Sequence, residues 1–166
     1  MEEQVTGSYT VTFAAGSGGS VSRSSITGVP YGATVSTSSN KCTINGTTVT
    51  ATAKTDTAQY DYSFDSWNVT NSTRVTADKT VYAYFDRDTI NYTVTIQAGT
   101  GGSVSASSLS VPYGSSISTS SNELTIGSST VTATPNSGYA FSSWTNASGT
   151  ITGNRTITAN FSDVTI

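Results

Sequence analysis

The feature that most constrains this chain is a stretch that the sequence contains twice. Residues 9–22 and 92–105 share one pattern, 83 positions apart, in which apolar residues alternate with threonine before a glycine-rich segment. Alternation with a period of two places the apolar side chains on one face of a β-strand. The glycines provide the backbone freedom for a sharp return of the chain. A strand and turn repeated at a fixed distance predict two similar units in tandem.

Further motifs recur in the same order in both copies. Proline fixes φ and glycine permits positive φ, so Val-Pro-Tyr-Gly predicts a turn or the end of an edge strand. Asn45-Gly46 predicts a hairpin turn, as does Gly127-Ser128. Apolar residues nowhere recur with the helical period over a dozen positions, so no amphipathic helix is predicted. The repeated motifs are Val-Pro-Tyr-Gly (29–32, 111–114), Ser-Thr-Ser-Ser-Asn (36–40, 118–122), Phe-x-x-Trp (64–67, 141–144) and a closing alternating strand (80–85, 156–161).

The repeat also predicts how the chain divides. We expect a leader at residues 1–8, a first domain at 9–86, a linker at 87–91 and a second domain at 92–166. Residues 86–91 contain neither Gly nor Pro, which favours an end-to-end arrangement with limited bending. Residues 161–166 line up with 85–90, so we expect the chain to be a piece of a longer protein in which another repeat follows.

Composition argues against several classes of function. Ser and Thr number 61 of 166 residues and charged residues only 10%, which predicts an ordered, β-rich, hydroxyl-coated protein. The net charge of −3 and the scattered basic residues argue against a nucleic-acid partner. No apolar run is long enough for membrane insertion of this fragment. The sequence has no histidine, which excludes Ser-His-Asp and Cys-His nucleophiles and imidazole metal sites. We therefore expect no enzyme activity and no cofactor.

Aromatic residues at equivalent positions of the two copies predict the core of each unit. Small β-units need large aromatics to bury enough apolar area. The alternative is that Trp67 and Trp144 are exposed platforms for sugar rings. The spacing of Phe and Trp breaks the period of two, so a bulge or turn must lie between them if both point inward. Cys42, the single cysteine, corresponds to Leu124 and is expected to be buried. The core set is Phe64, Trp67 and Phe85 in the first copy and Phe141, Trp144 and Phe161 in the second.

Candidate binding residues are confined to the first copy. Its segment 54–61 is about five residues longer than its counterpart at 135–138, and such an insertion marks a surface loop. Tyr60 in this loop, together with Tyr82 and Tyr84, is a candidate for a binding surface, while packing of tyrosines across strands is the alternative.

Two acidic residues are the weak candidates for a metal site. Asp86 and Asp88 flank Arg87, and oxygen-rich ligands of this kind suit Ca²⁺. Ordinary solvated charge is the alternative that we favour, so no metal is expected.

The order of these motifs resembles the divergent internalin-B-type B repeat, related to the Listeria–Bacteroides repeat of bacterial surface proteins. The resemblance extends from Tyr9 to Phe85 and from Tyr92 to Phe161. It implies a compact β-grasp-like module, strung in tandem in wall-attached or secreted proteins of bacteria, with no catalytic residues to carry over. Such a module usually carries a helix, but residues 33–52 have the pattern of Ser/Thr-rich strands. We therefore expect an all-β or nearly all-β fold of two small β-grasp-like domains with the helix reduced or absent.

The resemblance implies a non-catalytic extracellular repeat module that acts as a spacer or stalk in a bacterial cell-surface or secreted protein, an adhesin. Its partners would then be neighbouring repeats of the same chain, with a host protein or a glycan as a further partner. The alternative is a module that binds glycan or host protein through the first repeat, the only copy with the long loop and the tyrosine pair.

Overall fold

The computed structural model describes residues 7–164, so residues 1–6 of the expected leader and residues 165–166 lie outside it. Residues 7–164 form sixteen β-strands and contain no helix, which confirms the expected all-β fold. Contacts divide the chain into two compact units. Unit 1 comprises residues 7–56 and 61–88, and unit 2 comprises 57–60 and the residues from 89 onward.

Unit 1 consists of two four-stranded sheets. The first has the order β3-β1-β8-β7 and the second the order β2-β6-β5-β4. The first and last strands, β1 and β8, pair in parallel, with Phe13 opposite Val81. The strands are β1 (Ser8–Ala15), β2 (Gly19–Val21), β3 (Ser25–Pro30), β4 (Val35–Ser38), β5 (Lys41–Ile44), β6 (Thr47–Ala53), β7 (Tyr60–Trp67) and β8 (Lys79–Thr89).

Unit 2 repeats this arrangement strand for strand. Its sheets have the orders β11-β9-β16-β15 and β10-β14-β13-β12. The parallel pair is β9 with β16, where Ile96 lies opposite Ile157. The strands are β9 (Asn91–Ala98), β10 (Gly102–Val104), β11 (Ser108–Pro112), β12 (Ile117–Ser120), β13 (Glu123–Ile126), β14 (Ser129–Pro135), β15 (Tyr139–Thr145) and β16 (Arg155–Asp163).

The core of each unit lies between its two sheets. In unit 1 the buried cluster includes Val11 and Phe13 from one sheet and Ile44 and Val49 from the other. Residues one position away along these strands are Thr, Ala or Asn and are more exposed, as the period of two requires. In unit 2 the corresponding cluster includes Val94, Ile96, Leu124, Ile126 and Val131.

No helix packs on the mixed sheet of unit 1. The position that the helix would occupy in the chain, between β3 and β7, is taken by β4, β5 and β6. These segments are rich in Ser and Thr, which favour strands and turns over helix interiors. Their alternating apolar residues (Val35, Ile44, Val49) cover the core as one face of a second sheet.

The turn predictions agree with the backbone. Pro30 is the last residue of the edge strand β3, and Gly32 just beyond it has φ of 84°. Asn45 and Gly46 both have positive φ, 51° and 78°, as the tight β5–β6 hairpin requires.

The segment between the repeats is mostly strand. β8 runs to Thr89 and β9 begins at Asn91, so residues 87–89 of the expected linker belong to β8. The division also assigns Thr57–Tyr60 from the inserted loop to unit 2. There the Gln59 carbonyl accepts the N–H of Ile90 at 2.9 Å, and the Ala58 carbonyl accepts the hydroxyl of Tyr92.

Candidate functional site

The repeated tryptophans hold together the interior of their own units. Trp67 is only 9% exposed, whereas Trp144 is half-buried against the core of unit 2. Each indole N–H donates to a backbone carbonyl at 3.1 Å, that of Ser39 in unit 1 and that of Ser121 in unit 2. Trp67 therefore has too little exposed surface to act as a platform for a sugar ring.

The phenylalanines of the predicted core are half-buried and pack around these indoles. The Phe64 and Trp67 ring centroids are 5.5 Å apart, and those of Phe141 and Trp144 are 5.4 Å apart. Phe85 and Phe161 make edge contacts with Phe64 and Phe141. A register shift between Phe141 and Ser143 supplies the bulge that the three-residue spacing requires in unit 2.

The second glycine of each Gly-Gly pair is required by close packing. A Cβ added at Gly19 would overlap the ring of Phe85, and one at Gly102 would overlap the ring of Phe161. The preceding residue, Gly18, has φ of 125° and provides the backbone freedom of the turn. The two glycines of the pair therefore have different roles. The first allows positive φ in the turn, and the second leaves space for a phenylalanine ring.

The Ser-Thr-Ser-Ser-Asn run has a structural role that the sequence pattern did not reveal. Ser39 and Ser121 have positive φ, 52° and 53°, which is uncommon for residues other than glycine. The following asparagines, Asn40 and Asn122, each donate a side-chain N–H to a backbone carbonyl across the sheet, at 2.8 and 2.9 Å. The turn is thus fixed by its asparagine and by the tryptophan that donates to its serine.

Cys42 is fully buried in the core of unit 1. Burial raises the pKa of its thiol to about 11, because the charged thiolate is poorly solvated there. Cys42 stands in unit 1 where Leu124 stands in unit 2, and it packs there as a small apolar side chain.

The three candidate tyrosines do not form one group within a unit. Tyr82 and Tyr84 lie on the face of β8 opposite the buried Val81 and Ala83, and their ring centroids are 4.9 Å apart. Tyr84 is 45% exposed. Tyr60 is half-buried and falls in unit 2.

Acidic residues gather on one side of the β7–β8 pair in unit 1. The pKa of Asp61 is raised, first by the charge of Asp56 and then by a hydrogen bond with the same residue. The pKa of Asp86 is raised mainly by the charge of Asp65, with a smaller contribution from Asp88. Residues 7–164 contain no group of three or more acidic or cysteine side chains that could hold a metal ion. The arrangement is one of mutual repulsion between exposed carboxylates.

A recess of about 320 Å³ lies in unit 1 and brings two cations together. The Lys54 N–H donates to the Gly18 carbonyl at 2.8 Å, and its Nζ lies 5.9 Å from the centre of the Tyr62 ring. Arg87 shares a face of β8 with Phe85, while Asp86 and Asp88 point to the other face. None of the six described residues that line the recess is acidic. They are Ser17, Gly18, Lys54, Tyr62, Phe85 and Arg87.

The same place in unit 2 has different charges and a different tyrosine position. Asn136 replaces Lys54, and its N–H makes the same bond, to Gly101, at 2.7 Å. A Cβ added at Gly101 would overlap the ring of Tyr139, whereas the nearest Tyr62 atom lies 3.5 Å from a Cβ at Gly18. Asp163 pairs with Tyr139 across the strands and stands at the position of Arg87. Tyr139 therefore covers the turn at Gly101 in unit 2, whereas Tyr62 leaves the corresponding turn at Gly18 open in unit 1.

Comparison with known proteins finds a family model that matches the second copy. Residues 92–165 match the family model of the divergent InlB B-repeat domain. Over these residues the chain is similar to the divergent InlB B-repeat domain. Neither the curated proteins nor the solved structures contain a match to the chain.

Repeats of the InlB type typically occur in bacterial surface proteins. The match extends from β9 to the end of β16, so the B-repeat comprises both sheets of unit 2. Residues 7–164 include no helix that could cross a membrane.

Proposed function

We propose that this chain is a non-catalytic, extracellular repeat module that serves as a spacer or stalk in a bacterial cell-surface or secreted adhesin. The observation that carries the proposal is the family match of residues 92–165 to a repeat of surface proteins. The missing histidine supports the non-catalytic part, because the common activated nucleophiles depend on imidazole.

We infer that unit 1 is a second copy of the B-repeat. Both units have eight strands and the same two sheet orders. Both also have the Trp-to-serine carbonyl bond, the asparagine bond across the sheet and the phenylalanine packed on a glycine. These features involve residues at equivalent positions throughout the two sequences, which is the relation expected of tandem copies.

The spacer role is tested by measuring reach. One, two or three copies of the whole 166-residue chain are placed between a cell-wall anchor and a fluorescent protein on the surface of a bacterium. The distance of the fluorescent protein from the wall, measured by super-resolution microscopy, should grow by a similar step with each copy. A distance that does not change with copy number would contradict the spacer role.

A second function is favoured by the recess of unit 1. We propose that unit 1 also binds a glycan or a host protein, because Lys54 and Arg87 line a recess beside an aromatic ring. The test is a glycan and matrix-protein array probed with the chain. The whole chain is used because Thr57–Tyr60 belong to unit 2, and a cut at residue 90 would separate them from the rest of that unit. Absence of any bound ligand would contradict this second function and leave the spacer role standing.

A further inference from the structure

We propose that the edge strand β11 of unit 2 is a self-association site, where it pairs with β11 of a second copy of the chain. The two strands run antiparallel about a two-fold axis at Leu109 and join the mixed sheets of the two copies. The inference goes beyond the two proposed functions and depends on neither of them.

β11 is a regular edge strand with unused backbone groups. It lies at one edge of its sheet, and its five residues pair with β9 in an unbroken register. The Ile96 N–H donates to the Ser107 carbonyl, so strand alternation directs the N–H and C=O of Ser108 and Ser110 away from β9. Among the described residues no hydrogen bond uses these outward groups, and both serines are exposed. Such a row of groups is a template for another strand.

The same edge of unit 1 is protected in two ways. β3 contains an extra residue relative to β11, and its register with β1 shifts between Ile26 and Val29. Gly28 within this stretch has φ of 67°, as a bulge built on glycine requires. Arg23 is exposed just before β3, whereas unit 2 has Ala106 in its place. Bulges and charged side chains keep edge strands from pairing, and unit 2 lacks both here.

The other edge strands of unit 2 are less suited to pairing. β10 has only three residues. In β12 the outward N–H of Ile117 already donates to the Gly149 carbonyl at 3.0 Å. β15 has a register shift between Phe141 and Ser143. In the described part of unit 2, β11 is therefore the edge that is most open to another strand.

Leu109 provides an apolar contact for the pairing. It packs against the core of unit 2 but is only half-buried, whereas its counterpart Ile26 is 5% exposed. In the proposed pairing Leu109 lies opposite Leu109 of the second copy. This is a position without hydrogen bonds between the opposed residues, where side chains on one face approach most closely. Each leucine then covers the exposed part of the other, which favours a second copy as the occupant.

The backbone of β11 is complementary to itself in this register. Ser108 of each copy lies opposite Ser110 of the other, so the two pairs exchange four N–H···O=C bonds. Neither serine is charged, and the pairing brings no like charges together. Pro112 lacks an N–H, which limits the ladder to this short segment. Hydrogen bonds of this number with one apolar pair give a dissociation constant on the order of 1 mM.

Weak pairing of this kind has a consequence for chains that share one surface. Chains tethered side by side meet at a local concentration far above that in solution, so many weak pairs add up to a stable lateral contact. Neighbouring stalks would then be linked through their β11 strands. This consequence rests on the proposed spacer role, whereas the pairing itself does not.

The experiment measures the association of the whole chain in solution. Sedimentation equilibrium is recorded from about 0.05 to 2 mM, a range that spans the expected dissociation constant. It should show a monomer and a dimer, because a two-fold pairing closes on itself. Over the same range, the ¹⁵N-labelled chain should show concentration-dependent amide shifts at Ser108 and Ser110. The corresponding residues of unit 1, Ser25 and Thr27, should keep their shifts.

Charge variants test the register as well as the edge. Ser108→Lys with Ser110→Lys places lysine opposite lysine and should weaken association about tenfold or more. Ser108→Lys with Ser110→Glu places lysine opposite glutamate and should restore or tighten it, most clearly at low salt. Ser25→Lys with Thr27→Lys is the matched control, because it adds the same charge to the edge of unit 1 and should leave association unchanged.

A second variant serves if the lysine pair disturbs the fold, which amide exchange in β9 reports. Ala106→Arg combined with Thr-Gly in place of Ser110 gives β11 the residues that unit 1 has at its own edge. The chain already folds with these residues in β3. This variant should also remain a monomer.

The results divide clearly. Dimers that the lysine pair disrupts and the lysine–glutamate pair restores support the proposal. A monomer at every concentration overturns a second copy as the occupant of this edge. Dimers unaffected by the lysine pair, or oligomers that grow beyond the dimer, place the contact elsewhere and also overturn it. Equal weakening by both charge variants overturns the two-fold register at Leu109. None of these results alters the tests of reach or of ligand binding, which decide the proposed functions separately.

Discussion

Units 1 and 2 share the residues that pack or fix the backbone and differ where side chains meet solvent. Gly19 and Gly102 both lie under a phenylalanine ring, and Trp67 and Trp144 both donate to a serine carbonyl. By contrast, Lys54 corresponds to Asn136, and the hydrogen bond that both residues make, to the carbonyl of Gly18 or of Gly101, uses the backbone N–H. The two units therefore share their packing and backbone contacts and differ in the charge of their exposed side chains.

One charge difference shows how the geometry survives a substitution. Asp78 Oδ1 accepts the N–H of Thr10 at 2.9 Å, and Asn154 Oδ1 accepts that of Thr93 at the same distance. An acceptor oxygen is all that the backbone needs here, so Asp and Asn serve equally. The following predictions test how far this equivalence of the units extends, and hydrogen exchange in β1 and β9 reports the stability of each unit separately.

The largest effect is expected from removing an indole. Trp67→Ala should lower the free energy of unfolding of unit 1 by about 3 to 5 kcal/mol, because it leaves a cavity and an unpaired Ser39 carbonyl. Trp144→Ala should cost unit 2 less, since Trp144 is half-buried and Trp67 is only 9% exposed. Amide exchange in β1 and β9 measures both losses. A larger loss in unit 2 than in unit 1 would contradict the burial that separates the two indoles.

The next effect should be the same in the two units. Gly19→Ala and Gly102→Ala each force a phenylalanine ring to move, which should cost about 1 to 3 kcal/mol in the unit that carries the change. Gly153→Ala is the control, because a Cβ there meets no atom within 4 Å. Denaturant unfolding compares the three variants. If the control costs as much as the others, loss of glycine itself and not ring overlap is the cause.

A pH dependence should distinguish unit 1 from unit 2. The Cys42 pKa is raised from 9.0 to about 11 by burial, so the folded unit holds its proton more tightly than the unfolded chain. Unit 1 should therefore lose stability as pH rises from 9 through 11, by about 2 kcal/mol at pH 11. The Cys42→Val variant should remove this loss, because it has no thiol to titrate. An identical pH profile for parent and variant would show that the thiol is not the titrating group.

The smallest effect concerns the exposed carboxylates of unit 1. Neighbouring negative charges raise the pKa values of Asp61 and Asp86, so the folded unit binds protons more readily than the unfolded chain. Stability should rise as pH falls from neutral through the raised pKa values, and Asp61→Asn should give a small increase already at neutral pH. Asp78→Asn is the control, since unit 2 has Asn154 there. A decrease with Asp61→Asn would indicate that Asp61 makes a stabilising contact.

Much of this architecture could be predicted because the signals are local. The alternation of apolar residues predicted β1 and β9, and Asn45-Gly46 predicted a hairpin turn. The Phe-x-x-Trp spacing predicted the bulge that is found beside Phe141. Each depends on neighbouring residues whose preferred φ and ψ values and alternating directions hold wherever the strand ends up. The repeat added the strongest signal, since two copies of a pattern exclude chance.

The tertiary structure alone decided which distant residues meet. The parallel pairing of β1 with β8 joins Phe13 to Val81, and the recess joins Gly18, Lys54 and Arg87 from three separate segments. The sequence pointed instead to Tyr60, Tyr82 and Tyr84, because aromatic residues in a loop and on an outer strand face stand out locally. Contacts between residues far apart in the chain depend on strand order and register. Strand order and register are fixed by the burial of a shared core, which no single segment of the sequence specifies.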